Sequence, residues 1–230
     1  MYSNKTAARV FGVFFIAAFI AYGGGNGLIV SIINGPGGLA NVYAHKSQMA
    51  FGAILMAIVH TFLNTGLAVI MLPTLKQYNK NIAYGYLSAA ATATVMLIVG
   101  AIFLLLLVPL SEEYVKASPA DIHYLQSLGM LCVKGNYYAY QVAMAIWGIG
   151  GLLFCYLLHV SRLVPRLFST CGFIGYIIFL SGTMLELYGY NVGVLLDIPG
   201  GLFELSVSVW LIIKGFSPQR RILRATGTAA

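Results

Sequence analysis

Two ionisable side chains stand inside stretches that are otherwise apolar: Glu204 in the segment Pro199 to Phe216, and His60 in the run from Met49 to Leu72. Lys214 marks the end of the first stretch ten residues after Glu204. At about 1.5 Å per residue this sets the carboxyl group about 15 Å in, near the middle of a roughly 30 Å hydrocarbon layer. An ionised acid at that depth costs about 2.5–3.5 kcal/mol even on lenient insertion scales, so Glu204 is expected to face protein and to be protonated or paired. Asn64 follows His60 by one turn. The stripe Ala53, Ala57, His60, Asn64, Ala68 advances three or four residues at a time, which gathers small and polar side chains on one helical face. Gly201, Glu204 and Ser208 share a side in the same way. Glu204 and His60, with Asn64 and Ser208 as secondary partners, are therefore the expected polar centre. Central ionisable groups on separate helices are the parts from which proton relays are built, while a lone buried histidine is more often a hydrogen-bonded structural group.

The chemistry of a hydrolase or a nucleotide enzyme needs more than this. No H-E-x-x-H, G-x-S-x-G, C-x-x-C, P-loop or G-x-G-x-x-G occurs, and two central polar residues do not supply a nucleophile, a base and oxyanion donors. No catalytic residue is assigned. A metal would need further ligands, and Glu186 or His159 could join His60 and Glu204 only if the helices bent. No metal site and no cofactor are expected on these residues.

The elements that must position these groups are read from composition. Of the 230 residues 60% are hydrophobic and only 8% are charged, against about 25% charged in an average soluble domain. The expected fold class is all-α, a polytopic transmembrane helix bundle forming a single integral membrane domain over residues 1–230. Six spans are predicted, at about 10–33, 49–72, 82–110, 138–158, 167–187 and 192–213. The net charge of +7 does not indicate a nucleic-acid partner, because the basic residues are scattered between spans instead of forming a patch. Lys5, Arg9, Lys76, Lys80, Arg162 and Arg166 fall on one side together with Lys214, Arg220, Arg221 and Arg224. Only Lys46, Lys116 and Lys134 fall on the other, beside Glu112, Glu113, Asp121 and Asp197. The positive-inside rule then puts both termini in the cytoplasm. Val10 to Ile33 exceeds a signal-peptide core and lacks an A-x-A-like site, so it reads as an uncleaved first helix. Cys132, Cys155 and Cys171 form no C-x-x-C pair and read as packing residues.

Between the spans, local signals predict finer features. Gly23-Gly24-Gly25-Asn26-Gly27 reads as close helix contact, or alternatively as a break lining a cavity near the outer face. Asn34-Gly35-Pro36-Gly37-Gly38 is a turn cluster. The small residues of Gly85 to Thr94 predict close packing of the third span. Ser118-Pro119-Ala120-Asp121 reads as a helix start, and Ile122, Leu125, Leu128 or Gly129, and Cys132 recur at helical spacing. An amphipathic helix at about 119–133 is therefore expected along the outer interface, with His123 solvated. Tyr137, Tyr138 and Tyr140 suit an interfacial aromatic belt. Glu186 is expected at the outer interface, where a carboxylate is cheap, and Pro199-Gly200-Gly201 is expected to loosen the start of the last span.

Several stretches carry a family resemblance: Tyr156-Leu157-Leu158-His159-Val160-Ser161-Arg162-Leu163-Val164-Pro165-Arg166, Gly172-Phe173-Ile174-Gly175, and the closing segment with Phe203-Glu204 and Trp210 to Phe216. Pro73 with Leu75-Lys76, and Gly85-Tyr86, add to it. Along its full length the chain resembles the bacterial multi-pass membrane proteins grouped as domain of unknown function 4386. The resemblance implies a helical integral protein of a bacterial inner or plasma membrane and lends no activity. Many relatives look to have an Arg and a Glu a turn apart after the Gly-Tyr pair, whereas Ala89 to Thr94 is small and uncharged here. A function resting on that pair is not expected.

Three functions remain open on the sequence. The one that asks least is a non-enzymatic binding or accessory protein that accommodates a lipid, a small apolar ligand or a partner within its bundle. A small-molecule or proton-coupled transporter using Glu204 and His60 is the alternative, although no inverted repeat or matching pair of broken helices is visible. An intramembrane enzyme asks most.

Overall fold

The computed structural model describes residues 4–217, so Arg220, Arg221 and Arg224 of the expected cytoplasmic tail lie outside the described residues. Every regular element among them is helical. Helix α1 runs unbroken over Asn4–Ile33, through the glycine run that might have interrupted it. After the glycine turn, α2 (Leu39–Ala44) and α3 (Lys46–Ile54) lead through a single π-helical stretch, Leu55–Val59, into α4 (His60–Leu75). Helix α5 (Lys80–Leu105) opens on Asn79, whose side chain accepts a hydrogen bond from the Ile82 amide at 3.1 Å and so caps a free helix donor. It continues through a turn at Leu106 into α6 (Leu107–Tyr114). Helix α7 (Ile122–Ser161) stops where Arg162 takes a left-handed conformation, φ 55°. Pro165 then precedes α8 (Arg166–Leu187), and a short 3-10 turn, Gly193–Leu196, leads to α9 (Ile198–Ile213).

Five stretches are long and apolar enough to cross a membrane: Lys5–Ile33, Lys46–Leu75, Lys80–Tyr114, Ile122–Ser161 and Arg166–Leu187. Their outer faces carry large apolar side chains, with Ile20 69%, Phe62 70% and Leu167 73% exposed. Patches on this scale are anomalous against water and ordinary against lipid tails. The chain is a helical integral membrane protein. The expected sixth span, 192–213, is not one helix. Its first part is the 3-10 turn and a bend, and α9 proper has 16 residues, about 24 Å. Pro199 sits in the first turn of α9, where its missing N–H costs nothing, so the proline starts that helix and does not loosen it.

A second expectation needs correction. The stretch 119–133 is not a separate helix lying on the interface: α7 begins at Ile122 and continues for 40 residues without a break. Neighbouring elements pack against the junction. A Cβ at Gly129 would touch Leu39 and Leu110, and one at Gly135 would lie 2.7 Å from the Phe103 ring, so the glycines that might have ended the helix are pressed against neighbouring elements. Ser118 donates to the Asp121 carboxylate at 2.7 Å instead of capping a backbone amide.

Helix neighbours define the architecture. Helix α1 packs on α4 and α9, α4 on α5, α5 on α7, α7 on α8, and α8 on α9, so six helices close into a ring. Small residues let the backbones approach, as at Gly150, where a Cβ would lie 3.0 Å from that of Ala89, and at Gly12, where it would lie 2.5 Å from the Ser208 carbonyl oxygen. Two apolar layers fill the ring. One, near the N-terminal end of α1, contains Phe11, Phe15, Leu75, Tyr86 and Phe154. The other contains Ile29, Met49, Met56, Ala101 and Leu104.

Candidate functional site

The space between those layers is a cavity of about 320 Å³, and all six helices of the ring line it. Helix α4 contributes His60 and Asn64, α5 contributes Ala93 and Leu97, and α9 contributes Gly201 and Glu204 with Asp197 just before its first residue. Three of the four residues singled out from the sequence thus face one space. Along α4 and α5 these lining residues fall between the members of the two apolar layers.

Glu204 is 6% exposed and is held by two aromatic donors: the Trp147 indole N–H on α7 at 2.7 Å and the Tyr176 hydroxyl on α8 at 2.6 Å. Both reach the same oxygen, Oε1. The second oxygen is left for whatever enters the cavity. Tyr176 is fixed by a missing side chain opposite, since a Cβ on Gly151 would lie 2.2 Å from its ring. A glycine on α7 therefore decides where an acid on α9 is anchored.

His60 is 7% exposed and packs its ring edge-on against Tyr22, centroids 5.2 Å apart. Its Nδ1 is buried without a hydrogen-bond partner, and no ion pair joins it to Glu204 among the described residues. The two groups border one cavity without touching. Asn64 spends its amide on a neighbouring helix, donating to Thr94 Oγ1 at 2.8 Å, and Thr94 in turn donates to the Ala90 carbonyl at 2.7 Å. Ser208 stands apart from the cavity, donating to the Glu204 backbone carbonyl at 2.7 Å.

The remaining walls are aromatic. Phe15, Phe19 and Tyr22 come from α1, Tyr140 and Trp147 from α7, and Phe179 from α8. Tyr22 stacks on Tyr140 with centroids 6.0 Å apart, and Phe15 meets Trp147 edge-on at 6.0 Å. Sequence reasoning missed Trp147, Tyr176 and Asp197 as site residues and put Tyr140 in an interfacial belt. A cue existed for α7: Tyr140, Met144 and Trp147 follow one another at helical spacing. Tyr137 is also more than a belt residue, since its hydroxyl donates to Glu186 Oε2 while Oε1 of that acid accepts the Gly193 amide at 2.6 Å. Glu186 thereby ties down the turn before α9.

The glycine run of α1 divides its roles. Gly25 meets α3 closely, a Cβ there lying 2.5 Å from the Gly52 carbonyl oxygen, whereas Gly23 and Asn26 line the cavity. Around Gly23, and around Gly201 on α9, nothing beyond the helix's own adjoining backbone lies within 4 Å of an added Cβ. Helices α1 and α9 touch tightly at Gly12 and Ser208, and open space adjoins Gly23 and Gly201 where they border the cavity. On the outer surfaces of the same two helices Ile20, Leu202 and Leu205 are exposed.

The His159 ring shares a 3.0 Å hydrogen bond with the Ser169 hydroxyl. Among the described residues no group of three or more His, Cys, Asp or Glu is clustered as a metal would require. Neither curated proteins nor solved structures give a match to this chain. The model of one family does, described as a domain of unknown function and matching residues 10–215. Spanning nearly the whole bundle, from the first turns of α1 to the end of α9, that match places the chain in the DUF4386 family.

Proposed function

We propose that this chain is a non-enzymatic binding protein of the cell membrane, a bacterial inner or plasma membrane, that accommodates a lipid or small molecule inside its helix ring. The observation that carries this reading is the cavity itself. It is of the size small-molecule sites have, largely apolar, with a few convergent polar groups, and one of those groups, His60 Nδ1, is buried without a partner. A donor or acceptor left unsatisfied in hydrocarbon costs free energy that a bound polar atom would return. Glu204 and His60 serve as the polar centre, with Asn64 and Thr94 holding the wall behind them and Ser208 steadying the backbone of α9.

The topology that goes with this reading has six crossings, the sixth made by α9 together with the turn that precedes it, and both termini on the cytoplasmic side. The asymmetry of Lys and Arg supports it. Native mass spectrometry of the protein extracted in mild detergent tests the binding reading. The expected result is a co-purifying molecule of defined mass, released when Gly201 is replaced by Leu. A spectrum of the apo mass alone, from several lipid backgrounds, overturns it.

One observation favours a carrier instead. The π-helical stretch Leu55–Val59 ends at the residue before His60, and such stretches often sit at functional positions where a helix adjusts its register. Flux in proteoliposomes that is lost in both Glu204→Gln and His60→Ala would favour the carrier.

A further inference from the structure

We infer that the ligand class of the cavity is an organic cation, a protonated amine on an apolar or aromatic body. This deepens the binding reading above and rests on it. The argument starts from charge. Glu204 has no Lys, Arg or His counter-ion, since the single ion pair among the described residues is Lys46 with Glu112, far from the cavity. No Lys or Arg lines the cavity at all. Asp197 lies seven residues before Glu204, two helical turns or about 10 Å along α9, and faces the same space, with the open position of Gly201 between the two acids. A cavity with two carboxyl groups and no cationic side chain offers an anion no counter-charge and leaves a neutral ligand nothing to neutralise.

The walls are built for the same charge. An aromatic ring presents a negative face, and a cation within about 6 Å of it is attracted, most strongly by Trp and more so when water is excluded. Trp147, Tyr22 and Tyr140 line the same cavity as Glu204, and Trp147 touches the acid directly. His60 completes the set. It borders the cavity with its Nδ1 buried and unpartnered, while Glu204 Oε2 can accept an N–H of the ammonium and supply the counter-charge. The apolar body then fills the space toward Phe15, Phe19 and Phe179.

The chain has two tryptophans, and Trp210 is the one outside the cavity, its indole N–H unpartnered. In a Trp210→Phe background the fluorescence of Trp147 reports on the cavity alone. The probes are 4-phenylbutylammonium, 4-phenylbutanol and 4-phenylbutyrate, one body with a cationic, a neutral and an anionic head. The cation is expected to give a saturable change, with the alcohol about tenfold weaker or more and the carboxylate giving none. Glu204→Gln keeps an acceptor for Trp147 and Tyr176. It is expected to weaken the cation by about tenfold or more, a larger loss than the alcohol shows. Asp197→Asn, at the edge of the cavity, should weaken the cation less, and it carries the test if the first variant does not fold. Equal binding of alcohol and ammonium, or an ammonium indifferent to both variants, overturns the ligand class while leaving the binding reading intact. If no probe gives a saturable change, the binding reading falls with it.

Discussion

Replacing Glu204 separates its role as a hydrogen-bond acceptor from its role as a charge. In Glu204→Ala the Trp147 indole and the Tyr176 hydroxyl both lose their acceptor. Tyr176 is 1% exposed, so its hydroxyl bears the desolvation penalty of an unmade bond, about 1–3 kcal/mol. Trp147 is half-buried and borders the cavity, where water can replace part of what is lost, so its share is about 1 kcal/mol. Together the loss is about 2–4 kcal/mol. In Glu204→Gln the amide oxygen can still accept both bonds, and the cost stays below about 1 kcal/mol. For a chain of this size each kcal/mol moves the unfolding midpoint by about 2–4 °C, so alanine should lower it by roughly 5–15 °C and glutamine by no more than about 4 °C. Thermal unfolding in detergent, followed by near-ultraviolet circular dichroism of the buried rings, measures both. Equal midpoints for alanine and glutamine would refute the claim that the two aromatic donors anchor this residue.

Three further outcomes are expected. Gly151→Ala drives a Cβ to 2.2 Å from the Tyr176 ring, so that variant should lose about 1–3 kcal/mol. In a Tyr176→Phe background, where the hydroxyl bond is already gone, the loss should shrink, as a double-mutant cycle will read. Gly201→Leu meets open space and removes a flexible residue from a helix interior, so it should keep or raise the unfolding midpoint while filling the cavity and abolishing any probe response of Trp147. Reporter fusions after Lys80 and Arg166 are expected to read as cytoplasmic and one after Ala120 as external; an external signal at Lys80 would undo the six-span topology.

Local regularities made much of the helical frame legible. Lys76 and Lys80 bracket the α4 to α5 turn and Arg162 to Arg166 the α7 to α8 turn, because chain reversals put charge where water is. The three- and four-residue spacing that puts His60 and Asn64 on one face is a property of a single helix and needs no tertiary knowledge. Which helices meet is not written at that scale. Trp147 and Tyr176 reach Glu204 only because α7, α8 and α9 are neighbours in the ring and because Gly151 leaves room for a ring. Asp197 looked like a loop acid, since its approach to the cavity depends on the turn that Glu186 and Tyr137 hold in place. The expected surface helix at 119–133 failed for a related reason. Amphipathic spacing is the same for a helix lying on a membrane and for one standing against α2, α5 and α6, and only the contacts at Gly129 and Gly135 distinguish the two.

If the open space beside Gly23 and Gly201 is entered from the lipid, concentration takes on a different meaning for the proposed ligand. A molecule then reaches the cavity past outer surfaces of α1 and α9 that carry Ile20, Leu202 and Leu205, after dissolving in the bilayer and not directly from water. An amphiphile that partitions strongly is presented to the cavity at a local density far above its aqueous one. Its apparent affinity, expressed per litre of buffer, then contains the partition coefficient as a factor. At a fixed amount of protein and ligand, occupancy should fall as lipid is added, because the same molecules are spread through a larger apolar volume. A site opening to water would be indifferent to that dilution, apart from the ligand that the extra lipid withdraws from solution.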